Sequence, residues 1–315
     1  MRWLMKKKRQ PGWLAFGWHA DTIDLVHVRR GADGKPAVDL CASFRKEGSD
    51  AVTLARLRKS LKLDQYHCTT LLSSGQYQLH YLDAPAVPAD EVKAAVRWRV
   101  KDIIDYPVES ATLDVLHIPV DPDAPPRDAA LYVITARDDA IAACVQPFQQ
   151  SRIELQAIDI PDLAQRNLTA LLERDGAAAA LLAFYEESGM LTFTRGGELL
   201  LSRRLDVGLR ELFDDGGKLR EDGLERVALE AQRSLDHFDY QFPQVSIAKL
   251  MLAPVPREVD LAGRLGSSLG IPVEQVDLAQ VIDFAAHPEL ERREAQSHYL
   301  PLLGAALRSE GTAAR

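Results

Sequence analysis

Two stretches of this 315-residue chain read alike, about half a chain apart. Leu14-Ala15-Phe16 is followed by a polar turn (His19-Ala20-Asp21), a strand-like run over 22–28 and a break at Gly31. Leu182-Ala183-Phe184 is followed by Glu187-Ser188-Gly189, a strand-like run over 190–194 and a break at Gly196-Gly197. Each copy adds a third strand, 37–44 and 199–205. Self-similarity of this kind means one supersecondary unit used twice. It predicts two α/β domains, each with a three-stranded meander feeding a five-stranded sheet, related by a pseudo-two-fold.

Between the copies, helices and strands alternate, as mixed α/β layers require. Strands are expected at 69–72, 77–82, 114–120, 131–135 and 155–159, and helices at 51–61, 140–150 and 161–174. Pro147 should kink or end its helix. Asp90-Glu91 opens a further helix with Val92, Val96, Val100 and Ile103 on one face, and Tyr106-Pro107 ends it. The stretch 121–128 is a proline-rich loop. Asp175-Gly176 marks the boundary between halves. Beyond the second meander, Leu224, Val227, Ala231, Leu235 and Phe238 recur at helical spacing. A strand at 247–253, a helix at 260–269, a strand led by Gly270-Ile271-Pro272-Val273 and a helix at 297–307 complete the chain. The implied organisation is a basic tip (1–11), a first domain (12–176) with an insert over 76–151, and a second domain (177–315). The terminal helix, about 297–308, is expected to pack back on the first domain.

The longest apolar run is nine residues, 177–185, against about 20 for a membrane-spanning helix. The N-terminus lacks the layout of a signal peptide, so a cytoplasmic protein is expected. Cys41, Cys68 and Cys144 are scattered, which suits buried thiols rather than zinc or a disulfide framework. The net charge is −8, yet residues 1–9 hold five cations and no acid, leaving −13 on the remaining 306. An acidic body excludes nucleic acid as a natural partner. The tip offers Trp3, Lys6, Lys7, Lys8 and Arg9 as contacts to an anionic membrane surface; a solvated terminus is the alternative.

No Walker loop, H-E-x-x-H, G-x-S-x-G or paired-cysteine site occurs. His19 and His27 flank one hairpin with no carboxylate or third ligand close in sequence, so they read as surface or filler residues. Asp138-Asp139 and Asp214-Asp215 read as helix-start and loop acids. No catalytic residue, metal ligand or cofactor is expected.

Several segments share an order and spacing: 13–28 (WLAFGWHADTIDLVHV), 91–108 (EVKAAVRWRVKDIIDYPV), 157–172, 181–208, 225–238 (ERVALEAQRSLDHF), 249–255 and 300–308. Taken together, nearly end to end, they resemble the PilM family, the cytoplasmic actin-like component of type IV pilus assembly. The resemblance implies an actin-like, ribonuclease H-like fold, duplicated, with an inserted subdomain. The departures sit in the family's nucleotide loops. Its first phosphate-turn Asp and Gly fall on Gly17 and His19, the second pair on Phe184 and Glu186, and its Gly-rich adenosine loop on Ala253-Pro254-Val255-Pro256. Phosphate cradles need backbone N–H groups at close approach, which glycine permits and proline cannot supply. Mg²⁺ needs oxygen ligands; Asp21, Asp24 and Glu187 are the acids nearest the turns.

The resemblance therefore implies a scaffold on the inner face of the inner membrane. Its partner would be a PilN- or MshJ-like single-span protein, engaged through a short cytoplasmic N-terminal peptide; the pilus assembly ATPase is a second candidate. The segment around Arg97, Trp98, Lys101 and Tyr106 is the candidate groove, since arginine and aromatic residues anchor interfaces. Burial of Trp98 in the core is the competing reading. A divergent ATPase or sugar-kinase-like enzyme is the alternative function, and a type II secretion GspL-like domain a third.

Overall fold

The structure is a computed structural model describing residues 9–31, 34–118, 129–174 and 177–309. The first meander is β1 (Trp13–Trp18), β2 (Thr22–Arg30) and β3 (Pro36–Arg45), followed by α1 (Asp50–Leu61) and β4 (His67–Leu71). Next come β5 (Tyr77–Asp83), α2 (Val92–Val100), β6 (Ala111–Ile118), β7 (Ala130–Arg137), α3 (Asp138–Ser151), β8 (Leu155–Asp159) and α4 (Pro161–Leu171). The second meander is β9 (Ala179–Phe184), β10 (Gly189–Arg195) and β11 (Glu198–Leu205). A single helical turn, α5 (Leu209–Leu212), leads to α6 (Glu221–Gln241), β12 (Leu250–Leu252), α7 (Leu261–Leu269), β13 (Val273–Gln275) and α8 (Arg293–Ala306).

Two five-stranded sheets have the same order, β3-β2-β1-β4-β8 and β11-β10-β9-β12-β13. The repeated triplets at 14–16 and 182–184 lie in β1 and β9, the middle strand of each. Within the second sheet β9, β10 and β11 pair antiparallel, and β12 and β13 continue the sheet in parallel. A middle strand covered on both faces reads as an unbroken apolar run; Leu14, Ala15, Phe16 and all of β9 are buried accordingly. Between β12 and β13 lies α7. Between β4 and β8 lie α3 and, before it, a three-stranded antiparallel sheet of order β5-β7-β6.

The elements differ from the sequence expectation at their ends. α2 stops at Val100 rather than at Tyr106-Pro107. The N–H groups of Ile103 and Ile104 both turn back to the Val100 carbonyl. That twist leaves Ile103 half-exposed and puts Ile104 in the core place expected for it. α3 runs through Pro147, because Phe148 beyond it is fully buried edge-on against Phe16, with ring centroids 5.0 Å apart. α8 starts at Arg293, four residues early, with no side-chain cap to announce it. The boundary at Asp175-Gly176 and the loop over 121–128 lie outside the described residues.

The chain divides into two compact units. One comprises Phe16–Ile23 and Ser43–Pro161 with the residues up to Pro11. In it, Trp18 Nε1 donates to Thr70 Oγ1 (2.8 Å) and Thr70 Oγ1 donates to the Phe16 carbonyl (3.0 Å), tying β1 to β4. Around the three-stranded sheet, Val92, Val96 and Val100 pack with Ile104, Val108, Leu131 and Val133. Each such side chain contributes roughly 1.5–3 kcal/mol by leaving water.

The other unit comprises Gly12–Ala15, Asp24–Ala42 and the chain from Asp162 on. Phe193 and Phe238 stack at 4.3 Å between β10 and α6. The buried Gln165 of α4 donates from Nε2 to the carbonyls of Leu181 (2.8 Å) and Met190 (3.0 Å), and its Oε1 accepts from the Tyr185 hydroxyl (2.8 Å). The C-terminal segment clasps the first meander: Val38 N–H donates to the Asp283 carbonyl, Asp283 N–H to Pro36, and Cys41 N–H to His287 Nε2. α8 then crosses α4 where Gly304 lies on Ala164, with Asn167 Nδ2 donating to the Gly304 carbonyl at 2.9 Å.

A methyl group at position 304 would land on the Ala164 carbonyl, 2.7 Å from its carbon. Overpacking of this kind costs about 1–3 kcal/mol. Gly304→Ala is expected to lower the melting temperature by several degrees, measured by scanning calorimetry, and Gly304→Val by more.

Candidate functional site

The three turns that the resemblance sets against nucleotide loops each close on partners within the chain. In the first, Gly17 lies inside β1 and the exposed His19 spends its N–H on the Thr22 carbonyl (3.0 Å). The carbonyl of Asp21 accepts from Lys46 N–H (2.8 Å). No glycine stands in the turn to open the backbone, and the His19 N–H is used within it.

The second turn is the more tightly sealed. Phe184 is buried at the end of β9, and Tyr185 N–H donates to the Ser188 carbonyl. The start of α5 lies directly on this turn. Gly208 has room for no side chain: a methyl group there would meet the Glu186 carbonyl and Ser188 nitrogen and lie 2.5 Å from the Glu187 carbonyl carbon. The first N–H groups of a helix have no partner within it. Here Leu209 N–H donates to the Tyr185 carbonyl (2.8 Å), Arg210 N–H to the Glu186 carbonyl (3.2 Å), and Gly208 N–H to the Glu211 carboxylate (3.0 Å). Arg210 also pairs with Glu186 (3.5 Å) and with Glu187. Behind the turn, burial and the nearby Asp162 push the Tyr185 phenol up, so it stays a neutral donor to Gln165.

The third turn follows β12. Ala253, Pro254 and Val255 are buried; Pro256 is half-buried. Ala253 N–H donates to the Leu182 carbonyl (2.8 Å), and Gln275 Nε2 donates to the carbonyls of Leu252 and Ala253 (2.9 Å each). The prolines have no N–H to give.

Of the acids nearest the turns, Glu187 is held by Arg210 and Asp21 is an exposed turn residue. Asp24 is buried on β2, and its carboxylate takes a 2.6 Å hydrogen bond from His298 Nε2 of α8. His27 is buried, 3.8 Å from Asp39, as filler rather than ligand.

The segment around α2 presents a different surface. Trp98 is 73% exposed, which removes the core reading, and Ile103 is 50% exposed beside it in sequence. Lys101 Nζ lies 5.8 Å from the centre of the Trp98 ring. Arg97 and Arg99 are ties rather than free cations: Arg97 Nη1 donates to the Val108 carbonyl and Arg99 Nη1 to the Asp83 carbonyl, each at 2.7 Å. Tyr106 is half-buried under the Arg137 guanidinium, 5.4 Å from its ring centre. The Tyr106 hydroxyl and Gln78 Oε1 are buried without a partner among the described residues. At the N-terminus, Arg9 is paired with Glu154 and lies 3.4 Å from His67 Nδ1. Trp3, Lys6, Lys7 and Lys8 lie outside the described residues. Among the described residues no helix is long and apolar enough to cross a membrane.

The chain matches no protein-family model and no curated protein. Among solved structures it is similar to a PilM–PilN type IV pilus biogenesis complex, with a TM-score of 0.72 and 22% identity over 96% of this chain and 98% of that one. The fold is actin-like. Two fainter likenesses are a Bacteroides thetaiotaomicron protein with an actin-like ATPase fold (TM-score 0.47, 8% identity, 93% and 99% covered) and the cytoplasmic domain of EpsL, an inner-membrane component of the Vibrio cholerae type II secretion system (0.46, 12%, 81% and 93%). On the actin-like frame the exposed indole of Trp98 and the three closed turns are the features that sequence reasoning singled out. The Gly208 seal and the Asp24–His298 bond are ones it missed.

The Asp24–His298 bond makes stability depend on pH. The hydrogen bond that His298 donates to Asp24 raises the His298 pKa above the usual 6.5, against a smaller opposing effect of burial. A raised folded-state value contributes stability that is fully present below about 6.5 and is lost as pH climbs through the folded-state value. His298→Gln should therefore cost about 2 kcal/mol at pH 6, less than a fully buried pair because the imidazole is half-exposed. The melting-temperature gap between wild type and variant should narrow toward pH 9. A gap independent of pH would show that the imidazole acts by packing alone.

Proposed function

We propose that this chain is a non-catalytic docking scaffold at the cytoplasmic, inner-membrane base of a type IV pilus platform, of the MSHA type served by MshI. Its partner in this reading is a PilN- or MshJ-like single-span membrane protein, bound through that protein's cytoplasmic N-terminal peptide. The observation that carries the reading is a contrast between two regions. Every turn that would hold nucleotide is closed by the chain's own groups, whereas the helix after β5 turns a tryptophan out to solvent. The fold shared with the PilM–PilN structure supports the choice of partner.

A phosphate needs several unspent N–H groups converging at one place. At the second turn those of Gly208, Leu209 and Arg210 are already bound, and the Glu186 and Glu187 carboxylates add negative charge to the turn. Trp98, by contrast, is a large, rigid, amphipathic group held out by a helix whose other face is locked into the core. Such groups are what interfaces use as anchors. Lys101 sits beside it to steer an acidic or polar peptide, an effect on association rate more than on intrinsic affinity. Arg97 stabilises the helix exit through the Val108 carbonyl and serves the partner only indirectly.

Trp98→Ala tests the reading, read by anisotropy titration of a labelled synthetic peptide copying the partner's cytoplasmic N-terminus. An exposed side chain contributes little to folding, so the melting temperature should stay within a degree or two. Loss of an anchor costs about 2 kcal/mol or more, roughly a 30-fold loss of affinity. Unchanged peptide affinity in Trp98→Ala and in Lys101→Glu would place the docking surface elsewhere.

A further inference from the structure

We propose that the outward stripe of α6 is a self-association surface, on which a second copy of this chain docks with its own α6 antiparallel. It rests on residues unconnected with the docking reading above. α6 is 21 residues long and buries Leu224, Val227, Ala231, Ser234, Leu235 and Phe238 on one side. On the opposite side, at the same helical spacing, stand Asp222, Leu229, Arg233, Asp236 and Tyr240, all exposed. Tyr240 is 85% exposed and Leu229 52%. Together they place two apolar groups on one line of the helix, roughly 16 Å apart at 1.5 Å per residue.

The stripe is complementary to itself. A two-fold axis midway between residues 234 and 235 brings Leu229 against Tyr240 of the partner subunit, and Tyr240 against Leu229 of the partner subunit. The same axis brings Arg233 to Asp236 of the partner subunit, and the reverse. Arg233 has no ion-pair partner among the described residues. Asp236 is held in place by Gln232 Nε2, which donates to its Oδ1 at 2.8 Å. Every contact is thus made twice, as an isologous dimer demands. A parallel pairing would instead set each Arg233 against its own copy and each Asp236 likewise, so charge selects the antiparallel arrangement. One helix laid on another falls short of the 1,200 Å² or so that stable interfaces bury. The expected dimer is therefore a weak one, in the micromolar range, suited to a component concentrated by a common platform.

Sedimentation equilibrium on the full chain, from a few micromolar to a few hundred micromolar, tests this. Wild type should pass from monomer to dimer across that range. Tyr240→Ser should stay monomeric. Arg233→Asp and Asp236→Arg should each weaken dimerisation roughly tenfold by turning two attractive contacts repulsive, and the double swap should restore it, since each reversed charge then faces its reversed partner. A wild type that stays monomeric throughout overturns the proposal. So does a dimer that survives Tyr240→Ser, or single charge reversals that the double swap leaves unrescued.

Discussion

One close approach governs what this chain can do: the backbone of Gly208 lying on the turn between β9 and β10. With no side chain at that position, the first turn of α5 drops onto Glu186, Glu187 and Ser188 and gives its unpaired N–H groups to their neighbours. An N–H left buried and unmade costs about 1–3 kcal/mol. The contact therefore fixes both partners: the N–H groups of Gly208, Leu209 and Arg210 are satisfied, and the Tyr185 and Glu186 carbonyls of the turn are filled. Arg210 closes the outside by holding Glu186 and Glu187. The contact joins the turn to the start of α5.

The other two turns reach the same end by different means. The first spends the His19 N–H across its own mouth. The third packs Ala253, Pro254 and Val255 into the interior, with prolines that carry no N–H. What the duplicated sheets keep is rigidity. β9 is apolar on both faces, Gln165 bridges β9 and β10 from α4, and the C-terminal segment clasps β2 and β3 through Asp283, His287 and His298. The proposed scaffold role asks for such a frame: one that holds a partner in place.

The duplication was legible because each meander repeats the same triplet, turn and break, and these map onto β1–β2 and β9–β10 of sheets with one order. The outward position of Trp98 was also within reach, since it lies off the Val92, Val96 and Val100 face. Three things were out of reach. The end of α2 was read from Pro107, yet a tightened turn at Val100 ends it earlier and exchanges Ile103 for Ile104. α8 opens without a capping side chain, so nothing local marks its start. Asp24 and His298 stand 274 residues apart, and Gly208 matters for what it touches rather than for a left-handed backbone; neither leaves a local pattern.

The most direct test of the account is thermal unfolding with and without Mg²⁺-ATP. A ligand present at a hundred times its Kd adds about 2.7 kcal/mol to the folded state, a shift of several degrees for a chain of this size. With its turns closed, the protein should melt at the same temperature in millimolar Mg²⁺-ATP as without it. A reproducible rise of several degrees, abolished by Asp21→Ala or Glu187→Ala, would contradict the account and restore nucleotide binding to the fold.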